Sequence, residues 1–351
     1  MKVFLTGGTG FIGRPLTRAL LQRGWDVTLL TRAAQETRTF AWSAKSPDFA
    51  PKSGDFGLRQ AKVLETMDGA GARAVRGDVT DKDSMRAAMS GADVVIHNAG
   101  WYEIGIAPSA RAEMRAVNVG GTENVLSLAV ELKIPKILYT SSTTALGDTG
   151  GATVDETFAR IAPPNTFYEQ TKTEAHAIAL GYQKQGAPVI VVCPAQAIGK
   201  GDHSAFGYFA RLYVRHLLPP IIWAPEAAFT FAHVDDVAEG VALAAEKGRA
   251  GETYFLAGET IVNRELVQLW KRAVGGIPPF IWLPKPLALA QGALVEPLLR
   301  LMGIPAFISR EVVVGSFVSF RYSSEKAKRE LGWKPRSVEQ AWTDTLTAEK
   351  G

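Results

Sequence analysis

The chain has 351 residues, of which 46% are hydrophobic and 21% charged, and this composition excludes a disordered protein. The length allows one large α/β unit or two domains. The net charge of +4, from 39 basic and 35 acidic residues, is too small to indicate a nucleic-acid-binding protein. The single cysteine, Cys193, excludes an intrachain disulfide and a thiolate cluster, and we predict no metal site. One cysteine suits a reducing compartment, so we expect a cytoplasmic protein.

The sequence shows no targeting or membrane-spanning segment. Glycines between Gly7 and Gly13 interrupt the apolar run at the N-terminus, where a secretory leader would need its apolar core. Charged residues interrupt the most apolar late stretch, Pro279–Pro305, and a span needs about 20 nearly uncharged residues. We expect this stretch to form a helix packed in a core or lining a pocket. Contact with a membrane surface is the second alternative.

Strands and helices alternate along most of the chain. Continuous apolar runs, typical of strands buried on both faces, lie at Lys2–Thr6, Asp26–Thr31, Ala72–Val75, Asp93–Ile96, Lys136–Thr140, Val189–Val192 and Thr253–Leu256. Apolar residues at helical spacing predict helices at Phe11–Arg23, Lys82–Met89, Met114–Lys133 and Phe167–Gln185. This alternation predicts an α/β fold of the Rossmann type, with a doubly wound parallel sheet of about seven strands.

The connection from Ala33 to Ala70 is longer than a usual crossover. We predict a polar loop at Ser43–Gly57 and a helix at Leu58–Met67 within it. After Pro194 the alternation weakens and Pro, Trp and Phe become frequent. We therefore predict a Rossmann domain from residues 1–195 and 229–258, and a smaller, mostly helical substrate-binding lobe from residues 196–228 and 259–351.

A glycine-rich turn follows the first predicted strand and opens the first helix, which is the context that a dinucleotide-binding fingerprint requires. It runs from Thr6 to Gly13 as Thr-Gly-Gly-Thr-Gly-Phe-Ile-Gly. Gly7 and Gly10 allow a tight turn and close approach of a pyrophosphate, and Gly13 lets the helix pack on the strand. The helix N-terminus, at Phe11 and Ile12, supplies free N–H groups and the positive dipole end. We predict nucleotide binding here rather than a turn without a ligand.

The end of the second strand distinguishes between the two nicotinamide dinucleotides. A carboxylate there would bind the ribose 2′-hydroxyl of NAD, but Thr31 and Arg32 occupy the position, and no acid follows until Glu36. Arg32 can pair with a 2′-phosphate through charge-assisted hydrogen bonds. The sequence therefore favours NADP(H). NAD(H) is the alternative, with Arg32 as a solvated surface residue.

Tyr168 and Lys172 stand four residues apart on one face of a predicted helix. A nearby ammonium favours the phenolate, so we expect Lys172 to lower the tyrosine pKa from about 10 and to let Tyr168 exchange a proton with a carbonyl oxygen. The hydroxyl run Thr140–Thr144 follows an earlier strand, and Ser142 could polarise the same oxygen. The alternative for this run is strand-end capping. The combination favours catalysis.

Together these motifs, with several others, resemble an extended short-chain dehydrogenase/reductase over nearly the whole chain. That group includes sugar-nucleotide epimerases and dihydroflavonol-reductase-like enzymes. The other matching segments are Gly77–Val79, His97–Gly100, Asn118–Thr122, Pro194–Gly199, His233–Ala238 and Glu330–Pro335.

The resemblance implies roles for individual residues. Residues that would contact the cofactor, besides the glycine loop, Tyr168 and Lys172, are Asp78 and Val79 at the adenine, Asn98, Ala99 and Gly100 along the ribose and pyrophosphate, and Pro194 and Ile198 at the nicotinamide. Ser142, Tyr168 and Lys172 would be the catalytic trio. Asn118 would be structural or part of a water relay, and His233–Ala238 a structural anchor. The family often forms homodimers through helices such as Met114–Lys133 and Phe167–Gln185.

Two departures from the epimerase pattern concern the diphosphate of a nucleotide sugar. Cys193 replaces the usual Asn before the proline, and the stretch beginning at Phe229 lacks the usual Arg before His233. A diphosphate needs cations or hydrogen-bond donors, so these departures count against a nucleotide sugar. Aromatic and polar residues that could contact an apolar substrate instead are Trp101, Tyr102, Thr144, Gln196, His203 and Phe206. The alternative for such aromatics is the hydrophobic core, which we prefer for Phe209.

The leading interpretation is an NADP(H)-dependent oxidoreductase that transfers a hydride between nicotinamide and a carbonyl or secondary alcohol of a largely hydrophobic small molecule. An NAD-dependent sugar-nucleotide epimerase or dehydratase is the alternative. A non-catalytic NADP sensor is disfavoured, because such proteins commonly lose the tyrosine or lysine.

Overall fold

The computed structural model describes residues 1–32, 38–41 and 69–350. The strands in these ranges are β1 (Lys2–Thr6), β2 (Asp26–Thr31), β3 (Arg38–Ala41), β4 (Gly69–Arg76), β5 (Val94–His97), β6 (Lys136–Thr140), β7 (Val189–Pro194), β8 (Gln196–Ile198), β9 (Ile221–Trp223), β10 (Ala228–His233), β11 (Thr253–Leu256), β12 (Glu259–Val262) and β13 (Ile281–Leu283). The predicted loop Ser43–Gly57, the predicted helix Leu58–Met67 and Glu36 lie outside the described residues.

The helices of the described ranges follow the same order along the chain. They are α1 (Gly13–Gln22), α2 (Lys82–Met89), α3 (Arg111–Arg115), α4 (Gly121–Glu131), α5 (Phe167–Lys184), α6 (Ala205–Val214), α7 (Val234–Lys247), α8 (Asn263–Val274), α9 (Lys285–Leu301), α10 (Arg310–Ser316), α11 (Glu325–Leu331) and α12 (Val338–Lys350). Between α3 and α4 the segment Ala116–Gly120 forms a π-helical turn, so the predicted helix Met114–Lys133 is one helical segment with a local widening.

The main sheet has the strand order β11-β7-β6-β5-β1-β2-β4-β3. Seven of these strands run parallel, which confirms the predicted Rossmann-type sheet, and β3 adds an antiparallel edge strand beside β4. The chain leaves β1 towards β2 on one side and returns as β5 on the other. Ligands of open α/β sheets bind outside the carboxyl ends of the strands at such a reversal.

Alternate residues of β1 face the two layers of helices. Phe4 packs in a core shared with helices α2, α4 and α5. Val3 and Leu5 pack on the opposite face against α1 and α7. Both faces of the sheet are therefore buried, which is why its strands consist of continuous apolar runs.

The chain after β7 builds smaller sheets and a helical C-terminal region. We expected residues 229–258 to return to the main sheet, but only β11 does so. β10 pairs instead with β8 and β12 in a separate three-stranded sheet, whereas β11 pairs with β7. Helices α6, α8 and α12 cover this small sheet with an aromatic core that includes Phe231, Trp270 and Trp342. The division into two lobes at the predicted boundaries stays a prediction.

Helix α9, which we expected to pack in a core or to line a pocket, lies at the surface with one buried side, and its Glu296 lines a cavity. Its inward residues Ala288, Gly292 and Leu299 are buried, whereas Leu294 and Leu298 on the outward side are exposed. The close contact is possible because Gly292 packs against the start of α10, where a Cβ atom would lie 2.9 Å from the carbonyl carbon of Ser309. Among the described helices, none is long and apolar enough to cross a membrane.

Candidate active site

The glycine loop between β1 and α1 packs against the end of β5. Gly7 has a φ of +71°, and a Cβ there would lie 2.6 Å from the Ala99 backbone. A Cβ on Gly13 would lie 1.9 Å from the Gly7 carbonyl oxygen, so the third glycine is required for the loop to close on the helix. A Cβ on Gly10 would lie 3.3 Å from the Gly7 carbonyl oxygen and would meet no other atom within 4 Å among the described residues. The loop therefore presents a short, open backbone surface at the sheet edge.

The start of α1 fits an anionic ligand. Ile12 occupies the N-cap position without a side-chain cap, and the first turn contains no acidic residue. An uncapped N-terminus offers unpaired N–H groups and the positive end of the helix dipole to a phosphate. The residues present thus suit the diphosphate of a dinucleotide.

The residues after β5 lie on the other side of the glycine loop and bond to it. Asn98 donates from Nδ2 to the Gly7 carbonyl at 3.4 Å, and the Ala99 N–H donates to Thr6 Oγ1 at 3.1 Å. His97 beneath them is fully buried and contacts Thr6 Oγ1 through Nδ1 at 2.8 Å. Burial, and then the charge of Lys172, lower the His97 pKa to about 3, so the ring is neutral. Gly100 follows directly, next to Asn118.

The predicted adenosine contacts also lie along this edge. Arg32 is exposed and follows the buried Thr31 at the end of β2. The Asp78 carboxylate accepts from the Thr80 N–H at 2.9 Å, which fixes the turn after β4. Val79 is buried and its carbonyl accepts from Asn124 of α4 at 2.9 Å. Their positions are compatible with the predicted cofactor contacts.

Helix α5 holds Tyr168 and Lys172 against the ends of β6 and β7. Its N-cap is Thr166, whose hydroxyl accepts from the Glu169 N–H at 3.1 Å. Both predicted catalytic side chains are buried. Lys172 Nζ donates to the Thr140 carbonyl at 3.2 Å and to the Tyr139 hydroxyl at 3.3 Å. The ammonium therefore has a fixed position behind Tyr168.

The pKa of Tyr168 moves opposite to our expectation. Burial raises it above the ordinary value, while the charge of Lys172 and a hydrogen bond with Ser142 lower it by less. Burial likewise lowers the pKa of Lys172. Desolvation disfavours the charged form of each group, and here it outweighs their mutual attraction. The Tyr168 side chain is therefore a protonated phenol at neutral pH.

Ser142 stands at the start of a short 3₁₀ turn, Thr143–Ala145, two residues after the end of β6. Its Oγ accepts from the Thr144 N–H at 3.1 Å, so the capping role that we considered as the alternative is present. The neighbouring Ser141 bonds to His176 Nδ1 at 2.9 Å. Thr144, one of the predicted substrate contacts, lies beside Ser142 because of the bond between its N–H and the serine hydroxyl.

Aromatic side chains surround Tyr168. The Tyr102 ring meets it edge to face at 4.8 Å between centroids, and the His203 ring meets Tyr102 at 5.5 Å. Trp101 packs in the same small cluster. Asn118 holds this segment, since it accepts from the Trp101 N–H at 2.7 Å and donates to Thr171 of α5 at 3.0 Å.

The remaining predicted residues lie on β7, β8 and the start of α6. Phe206 is partly buried and packs with Phe229 at 5.1 Å and with Phe231 at 5.0 Å, beside the aromatic core of the C-terminal region, and its substrate contact stays a prediction. Gln196 begins β8, paired with Phe231, and Ile198 ends that strand fully buried. Pro194 closes β7.

Sequence reasoning missed the ion pair between Arg160 and Glu169. Both side chains are largely buried, and Glu169 follows Tyr168 directly. Arg160 also donates to the Ala145 carbonyl at 3.0 Å, which joins the Ser142 turn to helix α5. The Thr-x-x-Glu spacing from Thr166 to Glu169 is a capping-box pattern and could have indicated Glu169. Nothing local in the sequence points to Arg160.

His233–Ala238, interpreted above as a structural anchor, makes contacts of that kind. The His233 ring accepts from the Asp235 N–H at 3.3 Å. The Asp236 carboxylate binds Arg336 through two oxygens, at 2.9 and 3.0 Å, and its carbonyl accepts from Trp333 at 2.7 Å. These bonds tie the start of α7 to the segment after α11.

Residues 3–257 match the model of the NAD dependent epimerase/dehydratase family. The chain is 28% identical to 4-hydroxy-2-methyl-3-oxo-4-farnesyl-3,4-dihydroquinoline-1-oxide ketoreductase of Stigmatella aurantiaca, over 99% of this chain and 96% of the relative. It is also 28% identical to 3 beta-hydroxysteroid dehydrogenase/Delta 5-->4-isomerase of Mycobacterium tuberculosis, over 98% of this chain and 89% of the relative.

Among solved structures, the crystal structure of gox2253 superimposes with a TM-score of 0.76 at 29% identity, covering 99% of this chain and 97% of that one. The family model spans well over half of the chain, and the relatives match nearly all of it. The chain therefore belongs to the NAD dependent epimerase/dehydratase family, as an NAD(P)-binding oxidoreductase of the extended short-chain dehydrogenase/reductase type.

Proposed function

We propose that the protein is an NADP(H)-dependent oxidoreductase that interconverts a carbonyl and a secondary alcohol on a largely hydrophobic small molecule, with Ser142, Tyr168 and Lys172 as its catalytic residues. One observation carries the proposal: a buried phenol faces aromatic rings, with an ammonium fixed behind it. Such a site can give a proton to an oxygen and exclude water around it.

The cofactor, when bound, supplies or accepts the hydride at its nicotinamide ring. Its diphosphate would bind the uncapped start of α1, beside Gly10. Arg32 would hold the 2′-phosphate, for which a guanidinium is well suited. Pro194 and Ile198 would border the nicotinamide.

In the reducing direction Tyr168 donates its proton to the carbonyl oxygen as hydride reaches the carbonyl carbon, so the product is the alcohol. Burial keeps the phenol protonated, which is the form that this step needs. Ser142 donates a hydrogen bond to the same oxygen, and Lys172 stabilises the tyrosinate that remains. Oxidation runs through the same atoms in reverse.

A hydrophobic substrate is supported by the residues around Tyr168. Trp101 and Tyr102, both partly exposed, present apolar surface there. Two of the similar proteins reported above have names that refer to a farnesyl-bearing quinoline oxide and to a hydroxysteroid. Phe229, at the segment where epimerases carry a diphosphate-binding arginine, is buried between Phe206 and Phe320. This position disfavours the sugar-nucleotide alternative.

The cofactor part of the proposal is tested on the purified protein. Nucleotide released on denaturation is identified, and the emptied protein is titrated with NADPH and NADH. We expect tighter binding of NADPH, and we expect Arg32→Ala to weaken NADPH far more than NADH. Equal losses for both cofactors, or slowly exchanging NAD(H) retained at full occupancy, would contradict the assignment of Arg32.

The catalytic part is tested with a panel of hydrophobic ketones and aldehydes. Tyr168→Phe should retain NADPH binding and lose turnover by orders of magnitude, because the proton donor is gone. Tyr182→Phe is the matched control on the same helix, since the Tyr182 hydroxyl bonds to Glu123 at the partly exposed end of α5, away from Ser142 and Lys172 in the contacts described. Turnover retained in Tyr168→Phe would refute the role of Tyr168.

A further inference from the structure

The outward face of helix α9 is apolar along its whole length. Leu294, Leu298 and Leu301 have relative exposures of 72%, 58% and 86%, and they follow Leu287 at helical spacing. The exposed positions between them are Ala290, Ala293 and Pro297. A solvated helix normally turns its polar side outwards. Large contiguous apolar patches on a protein surface mark interaction sites.

Two of the three charged residues of this helix, Glu296 and Arg300, point the other way, and the third, Lys285, is exposed at its first position. Glu296 and Arg300 pair with each other at 2.7 Å, with side chains only 27% and 32% exposed. Arg300 also donates to the Gly105 carbonyl, and Glu296 borders a cavity of about 290 Å³ with Ile106 and Arg111. The helix thus has its polarity inverted relative to a helix that faces water.

The apolar surface continues onto two neighbouring loops. Strand β13 leads directly into α9 through Pro284, and the residues before it, Ile277 and Phe280, are strongly exposed. The Phe280 N–H donates to the Pro220 carbonyl at 3.0 Å, which places the loop with exposed Leu217 alongside. We call these exposed apolar residues of α9 and of the two loops near its start the α9 surface: Leu217, Ile277, Phe280, Leu287, Leu294, Leu298 and Leu301.

Positive charge accompanies the α9 surface. Residues 266–310 contain five basic side chains (Lys271, Arg272, Lys285, Arg300 and Arg310) and one acid, Glu296, which Arg300 neutralises. Lys285 is exposed at the first position of α9, and Lys271 and Arg272 are exposed just before the loop of Ile277, where Arg272 also pairs with Glu339 at 4.0 Å. Basic residues beside an apolar helix face are complementary to an anionic lipid surface.

We propose that the α9 surface docks the protein onto an anionic phospholipid bilayer, with α9 lying in the plane of the interface. A second copy of this chain suits the surface less well. In a twofold-symmetric contact the partner presents the same surface, and within residues 266–310 the acid that surface could offer to Lys271 and Lys285 is Glu296, which Arg300 already pairs. The proposal does not depend on the proposed function.

Vesicle sedimentation tests the proposal with the full-length protein. Vesicles of phosphatidylcholine alone are compared with vesicles that also contain phosphatidylglycerol, at low and at high salt. We expect binding to the anionic vesicles that falls as salt rises, because screening shortens the reach of the basic side chains. Absence of binding to anionic vesicles at low salt would overturn the proposal.

The combined variant Leu294→Ser, Leu298→Ser and Leu301→Ser should lower the vesicle partition coefficient by roughly tenfold or more. Ile161→Ser is the matched control, because Ile161 is equally exposed (65%) but lies outside the α9 surface. Thermal unfolding checks that both variants remain folded. Equal partitioning of the two variants, or a dimer that the triple variant abolishes without any vesicle binding, would overturn the proposal.

Discussion

The buried pair of Arg160 and Glu169 offers a sharp test of how the site is held. Their side chains are only 15% and 4% exposed. Arg160→Ala would leave the Glu169 carboxylate buried without its cation and would release the bonds to the Ala145 carbonyl and to Thr173 Oγ1. Removing one partner of a buried pair costs about 3–5 kcal/mol, so we expect a loss of that size in the free energy of unfolding.

The consequence for activity follows from the same contacts. Arg160 joins the turn that carries Ser142 to the helix that carries Tyr168. A small displacement of such a group can lower turnover by up to about a hundredfold. Urea unfolding followed by tryptophan fluorescence gives the stability, and turnover with a responsive ketone gives the activity. The double variant with Glu169→Ala should be less destabilised than the sum of the single variants, because no charge stays buried.

Arg264→Ala is the matched control for this measurement. Arg264 pairs with Glu226, but these side chains are 61% and 74% exposed. An exposed pair contributes about 0–1 kcal/mol, so this variant should stay close to the parent protein. Similar losses of stability for Arg160→Ala and Arg264→Ala would refute the reasoning from burial.

Two further predictions concern the glycine loop and pH. Gly13→Ala places a Cβ 1.9 Å from the Gly7 oxygen and should weaken NADPH binding by roughly tenfold or more, measured by fluorescence titration, whereas Gly181→Ala on α5 meets nothing within 4 Å and should leave it unchanged. Burial lowers the His176 pKa from 6.5 to about 4, so the unfolded chain takes up this proton first as pH falls. The stability of the parent protein should therefore fall more steeply between pH 7 and 5 than that of His176→Asn in urea titrations. Equal slopes would contradict this.

The sequence alone predicted the parallel sheet and its glycine loop. Strands such as Lys2–Thr6 and Lys136–Thr140 end where the sequence predicted, because continuous apolar runs between turn residues are local signals. The spacing of Tyr168 and Lys172 likewise needed only the period of a helix. The antiparallel strand β3 and the pairing of β10 with β8 and β12 could not be predicted in this way, since they depend on partners distant in the chain.

The tertiary structure decided what depends on burial and on distant contacts. Spacing suggested a lowered Tyr168 pKa, but the packed ring loses its solvation and the pKa rises. The contacts of Phe206 with Phe229 and Phe231 likewise join residues distant in the chain, which the sequence does not indicate. The apolar stretch that contains α9 gave no indication of which side would face outwards, because composition does not record which neighbours cover a helix. Packing against α10 turned Glu296 and Arg300 inwards and Leu294, Leu298 and Leu301 outwards.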